Sequence, residues 1–186
     1  MTARSGAVED LKRTFAVLSR DVDASVALRN QQDSQFARRT VIRTQFAFIE
    51  GLANSLAAVA ARSAPVESGI LSVGDLALLE ERDFALDDRG ELVCRNARLP
   101  LLKRIRHVLR CYPRIHGASF DPHYGGAGWQ ALRDSLELRH RLTHPKNETS
   151  LRVSDEEFEK AAVAFDWFQT TIRDLLKECA SADAQY

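Results

Sequence analysis

The strongest constraint on the fold is the stretch from about Gln35 to Ala61, which has no proline and only one glycine, Gly51. Phe36, Phe46, Ile49, Leu52, Ala53, Leu56 and Val59 recur there at helical spacing, which predicts one long helix with one buried face. Its alanines and Gly51 allow neighbouring helices to approach closely. The polar run Asn30–Ser34 precedes it, with Asp33 or Ser34 as N-cap, and Arg62-Ser63-Ala64-Pro65 closes it. The most apolar part, Phe46 to Ala61, is interrupted by Glu50 and Asn54 and is shorter than the ~20 residues a membrane span needs. With no apolar leader in the first residues, the expectation is a soluble, cytoplasmic protein with no membrane partner.

Other segments repeat the helical signal. Val8, Leu11, Phe15, Leu18, Val22 and Val26 form a narrow stripe on a first helix from about Val8 to Leu28, suited to a bundle or to a second copy of the chain. Leu99 to Tyr112 predicts a helix with Pro100 in its first turn and Leu101, Leu102, Ile105, Val108, Leu109 and Tyr112 facing inward. Ser154-Asp155-Glu156-Glu157 is a capping box. It opens a last helix to about Cys179, faced by Phe158, Ala161, Phe165, Phe168, Ile172 and Leu175. The tail from Ser181 is expected to fray. Between the second and fourth of these helices, Leu71 to Arg82 predicts a short helix. Phe84-Ala85-Leu86 and Glu91–Cys94 then flank the turn Asp87-Asp88-Arg89-Gly90 as a hairpin. The reading is a single domain over 1–186, with 63–98 as an insertion carrying that short helix and hairpin.

Lys plus Arg and Asp plus Glu number 26 each, so any basic surface is local. Glu91 and Asp121 bound an interval without an acidic residue that carries Arg95, Arg98, Lys103, Arg104, Arg106, Arg110 and Arg114, with His107 and His116. It reads either as a solvated face paired with acids from elsewhere or as a surface that tracks phosphates. In the second case Lys103, Arg104, Arg106 and Arg110 are the candidate RNA contacts. Cys94, Cys111 and Cys179 have no CxxC spacing and read as reduced thiols. Gly125-Gly126-Ala127-Gly128 lacks a following Walker lysine and a preceding strand, so it is a loop and not a phosphate cradle.

The stretch Arg139-His140-Arg141-Leu142-Thr143-His144-Pro145 closes a helix that begins near Gly128 and carries Trp129, Leu132 and Leu136. Pro145 disfavours helix at His144, so the helix is expected to loosen at Thr143 or His144. His144 is then free to turn back beside Arg139 or His140. Three readings are open. Arg and His cap the helix C-terminus; or His140 and His144 hold a metal as an i, i+4 pair, with arginines flanking them and no third ligand evident; or the stretch is a metal-free phosphodiesterase site. In that last reading Arg139 binds phosphate, His144 moves protons and His140 assists. Glu50 is a boundary residue, a structural ion pair, or the carboxylate that holds an arginine of this stretch from a facing helix.

Arg139-x-x-x-x-His144, with polar His140 after the arginine and Pro145 after the histidine, resembles the R-x4-6-H motif of the HEPN superfamily. The setting is similar too: the motif ends a long helix, a final amphipathic helix follows, and an earlier long helix carries Arg43 to Asn54. The resemblance implies an all-α, HEPN-like bundle of about four to five main helices, here with a small β-hairpin insertion. It also implies a homodimer with two motifs facing across a cleft. In many members it implies metal-independent endoribonuclease activity, often as a toxin or in phage defence. Others have lost catalysis and bind RNA, nucleotides or a partner protein. Arg139, His140 and His144 become the catalytic set, with Glu50, Arg141 and Thr143 supporting it. RNA is the implied partner, together with a possible cognate antitoxin or regulatory protein, and no cofactor is implied. Attack of a ribose 2′-OH on its own phosphate needs a base, an acid and a cation, which is a separate reason to expect two copies at one cleft.

Overall fold

The structure, a computed structural model, describes residues 3–63 and 69–184. In order it has α1 (Ala3–Gln31), α2 (Gln35–Ser63), α3 (Val73–Leu79), β1 (Arg82–Leu86), β2 (Leu92–Asn96), α4 (Leu101–Arg114) and α5 (Ala127–Thr143). A 3-10 turn at Thr149–Leu151 and α6 (Asp155–Asp183) complete it. The fold is all-α with one small antiparallel hairpin. No described helix is long and apolar enough to cross a membrane. The expected stop at Ala64-Pro65 and the last two tail residues lie outside the described residues; α6 itself continues through Ser181 to Asp183.

The chain divides into two compact units. One comprises Lys12–Leu52 and Asp121–Asp174, and its centre is Phe48, 1% exposed. Phe15, Phe165 and Phe168 meet Phe48 edge-on, at 5.7, 5.3 and 6.5 Å between centroids, the offset that the ring quadrupoles favour. Ser25 Oγ and Thr44 Oγ1, 2.8 Å apart, pin α1 to α2. Trp129 packs edge-on to Tyr124 and Trp167. Ser34 caps α2, accepting from the Ala37 N–H at 3.2 Å. Ser154 and Glu157 form the reciprocal box at the start of α6.

Several expected core positions are uncovered. Phe36 is 63% exposed although the spacing placed it on a buried face, and Phe15 and Val26, on the stripe suited to a bundle or to a second copy, are 48% and 38% exposed. Periodicity sets the direction of an apolar face; it does not set how far along the helix a neighbour covers it.

The other unit comprises the chain up to Leu11, Ala53–Phe120 and the chain from Leu175. Leu56, Val59, Leu71, Leu79, Ile105, Val108, Leu109 and Tyr112 are buried there, while Leu101 and Leu102, also expected inward, are only half-buried. Helix α3 is shorter than Leu71–Arg82 because Ser72 and Asp75 make their own capping box and Glu81 takes a positive φ of 55°. In the hairpin Phe84 pairs with Cys94 and Leu86 with Leu92. Gly90, at φ 78°, closes the turn in a conformation that glycine tolerates best.

Candidate active site at the end of α5

Helix α5 buries Trp129, Leu132, Ser135, Leu138 and Leu142, which leaves Arg139, His140 and Thr143 on other faces of its last turns. The helix ends at Thr143. His144 has left the helical register, at φ −125° and ψ 64°, as the following proline requires. Its N–H still donates to the His140 carbonyl at 2.9 Å. The Thr143 hydroxyl donates to the Arg139 carbonyl at 2.8 Å, and Arg43 of α2 donates to the Leu142 carbonyl at 2.8 Å. Two of the helix's last carbonyls, those of Arg139 and Leu142, thus have side-chain partners that helix geometry alone does not supply.

Arg139 pairs with Glu50 of α2, Nη2 to Oε1 at 2.7 Å. The two side chains are 34% and 35% exposed, so the pair lies at the boundary between core and solvent. Glu50 therefore does reach an arginine of this stretch. The imidazoles of His140 and His144, both exposed, lie 5.1 Å apart between centroids and tilted by 54°. Arg139 makes no hydrogen bond to His144 among the described residues; the structure joins His144 to His140 and Arg139 to Glu50. Nor does any third His, Cys, Asp or Glu complete a metal-ligand group with the two histidines among the described residues.

Arg141 turns the other way. It donates to the carbonyls of Ser150 at 2.9 Å and Arg152 at 2.8 Å and pairs with Glu157 at 2.5 Å. Its guanidinium braces the link from α5 to α6, a task the sequence reading assigned to no residue. The first turns of α2 brace the same link. Gln35 exchanges two hydrogen bonds with the Val153 backbone, and Arg39 donates to the Leu151 carbonyl at 3.1 Å. Arg38 pairs with Asp155 and Asp33, and its guanidinium holds the Asp33 carboxyl below its ordinary value. A groove of about 550 Å³ beside the link is lined by Gln35, Asn147, Thr149, Ser150 and Arg152 among others.

Arg43 was missed as a site residue. A signal was present, since it stands seven positions before Glu50 and so on the same face of α2.

Part of the basic interval is committed within its own unit. Arg104 pairs with Glu81, bonds Asn54 and is 13% exposed. Arg110 pairs with Asp75. Arg114 lies 3.6 Å from Asp75 and donates to the Ile70 carbonyl. Lys103 and Arg106 are exposed on α4. Two of the four residues named as RNA contacts, Arg104 and Arg110, thus spend their charge on carboxylates from α3 and the segment after it.

No protein-family model matches this chain, and no curated protein or solved structure is significantly similar to it. What the end of α5 can do chemically rests on its groups. It presents a guanidinium held by a carboxylate from behind and two solvent-facing imidazoles on a turn braced from both sides. That combination can bind a phosphate and relay a proton.

Proposed function

We propose that the chain is a HEPN-like endoribonuclease that cleaves RNA without a metal, leaving a 2′,3′-cyclic phosphate. The observation that carries this reading is the arrangement at the end of α5. There Glu50 orients Arg139 at 2.7 Å, and Pro145 frees His144 to stand beside His140. Arg139 binds the scissile phosphate and stabilises its developing charge. An imidazole takes the proton of the 2′-OH, and another protonates the leaving 5′-oxygen. One chain supplies one guanidinium and two adjacent imidazoles, and a second copy about a two-fold axis supplies the full set, so the active form is a homodimer. Exposed donors of Asn147, Thr149 and Arg152 beside the link suit the acceptor edges of an unpaired base. Such an enzyme acts as a toxin or a defence effector in the cytoplasm, restrained by a cognate antitoxin or regulatory protein.

The test is RNA incubated with purified protein in EDTA, wild type beside Arg139→Ala and His144→Ala, with light scattering for the mass. The expected result is cleavage by wild type, a loss of about a hundredfold or more in each variant, and a dimer. Equal cleavage by all three, or a monomer that cleaves at full rate, overturns it.

A second reading, a non-catalytic HEPN-like module that binds RNA, a nucleotide or a partner, is favoured by the lack of a bond between Arg139 and His144. RNA binding that persists in both variants, with no cleavage by any of the three proteins, selects it.

A further inference from the structure

Three metal-ligating side chains that share no residue with the end of α5 converge in the unit containing Ala53–Phe120. His107 and Cys111 stand four apart on α4 and so share a face, and Asp75 comes from α3. Their ligand atoms all lie within 4.8 Å of one another. His107 Nε2 is 3.1 Å from the backbone carbonyl of Asp75. A carbonyl only accepts, so Nε2 carries the proton and Nδ1 keeps its lone pair. A metal-bound histidine is oriented in this way, by a carbonyl on its other nitrogen. Nδ1 lies 3.9 Å from the Cys111 sulfur. The sulfur also lies 3.8 Å from Nε2, so the ring must turn to aim Nδ1 at a shared metal, around which zinc bonds of about 2.0–2.3 Å place tetrahedral N and S ligands roughly 3.5 Å apart.

A cation of another kind already sits among these atoms. Arg110 Nη2 bonds Asp75 Oδ1 and lies 3.5 Å from His107 Nδ1. One guanidinium nitrogen thus touches two of the three would-be ligands. The Arg110 side chain is 57% exposed and reaches water by rotating outward.

We propose that Asp75, His107 and Cys111 form a binding site for a zinc-like divalent cation, whose place the Arg110 guanidinium holds until the metal displaces it. Thiolate, imidazole and carboxylate are the donors that zinc takes. The local charge is conserved. An Asp75 carboxylate, a neutral thiol and one guanidinium give way to a carboxylate, a thiolate and a dication. Cys111 releases its proton to solvent as its sulfur donates a lone pair to the metal. The second oxygen of Asp75 stays on Ser72, accepting from its N–H at 3.2 Å and its hydroxyl at 2.9 Å, so the first is aimed. The fourth coordination position opens where Arg110 leaves, to water.

The test is a titration of the metal-stripped full-length chain with cobalt(II), followed by zinc(II), with circular dichroism confirming the fold of each variant. The expected result is one equivalent bound with a thiolate-to-cobalt charge-transfer band that one equivalent of zinc abolishes. Cys111→Ser removes the band, His107→Ala weakens binding by about tenfold or more, and Cys94→Ser keeps the band. Because Cys111 is buried, the surface variant Arg110→Ala carries an independent arm, in which loss of the competing guanidinium tightens binding severalfold. No binding by a folded wild type, cobalt bound without the band, a band lost in Cys94→Ser, or unchanged or weaker binding in Arg110→Ala overturns the proposal.

Discussion

Arg139 and Glu50 form a boundary pair, and the boundary decides what the pair does. With about a third of each side chain exposed, water screens much of the attraction, and such pairs contribute about 0–1 kcal/mol to stability. The value of the contact is orientation. Glu50→Gln is therefore expected to shift unfolding by less than about 1 kcal/mol. In the proposed ribonuclease it lowers kcat by about tenfold to a hundredfold, because the guanidinium loses its aim. Thermal melts beside initial cleavage rates check both halves. His144 was readable from its neighbour, since a residue before proline avoids the helix. The partner choice of each arginine was not readable. Arg139 and Arg141 stand two apart and so point to different sides of α5, and nothing in the sequence says that α2 lies on one side and the Ser150–Glu157 segment on the other.

At the scale of elements, α5 ends in a turn braced by α2 and by its own link to α6. Removing Arg141 frees two carbonyls and Glu157 together. Arg141→Ala is expected to cost about 1–3 kcal/mol, measured by urea unfolding, with faster amide exchange across residues 147–153. Two of the helix glycines, Gly128 and Gly51, make a sharper contrast. A Cβ on Gly128 would run into the Trp167 side chain at Cβ, Cγ and, at 2.7 Å, Cδ1. The near end of a packed indole cannot yield without moving α6. Gly128→Ala should destabilise by about 1–3 kcal/mol despite the better helix propensity of alanine. A Cβ on Gly51 crowds the flexible end of Leu18, Cδ1 at 2.6 Å, and meets Thr14 Cγ2 at an ordinary 3.8 Å, so Gly51→Ala should stay within about 1 kcal/mol of wild type. Denaturant midpoints of the two variants decide the comparison.

Across the whole molecule, the three thiols separate by environment. Cys94 is exposed, and Cys111 and Cys179 are buried. A thiol reagent is expected to modify Cys94 in the native protein and the other two only on unfolding. Burial first, and then the carboxylates of Asp183 and Glu178, push the Cys179 thiol up to about 11, above its unfolded value of about 8.5. The folded state thus disfavours the thiolate. The stabilising contribution is complete below about pH 8.5 and is lost as pH rises toward about 11. Urea midpoints across that window should fall more steeply in wild type than in Cys179→Ala. Charge follows the same logic of placement. Of the two readings of the acid-free interval, pairing with acids from elsewhere holds for Arg104, Arg110 and Arg114, which meet Glu81 and Asp75, earlier in the chain.

The sequence by itself determined the long helices, the caps at Ser34 and Ser154, the hairpin and the break at His144, because helical periodicity, capping chemistry and the restriction before proline act over a few residues. Only the tertiary structure decided that Glu50 takes Arg139 while Glu157 takes Arg141, that Arg43 caps Leu142, that Phe36 stays in water, and that Asp75 meets His107 and Cys111. Those are contacts between segments far apart in the chain. Side-chain spacing fixes which way a residue points, and only the packed backbone fixes what it meets.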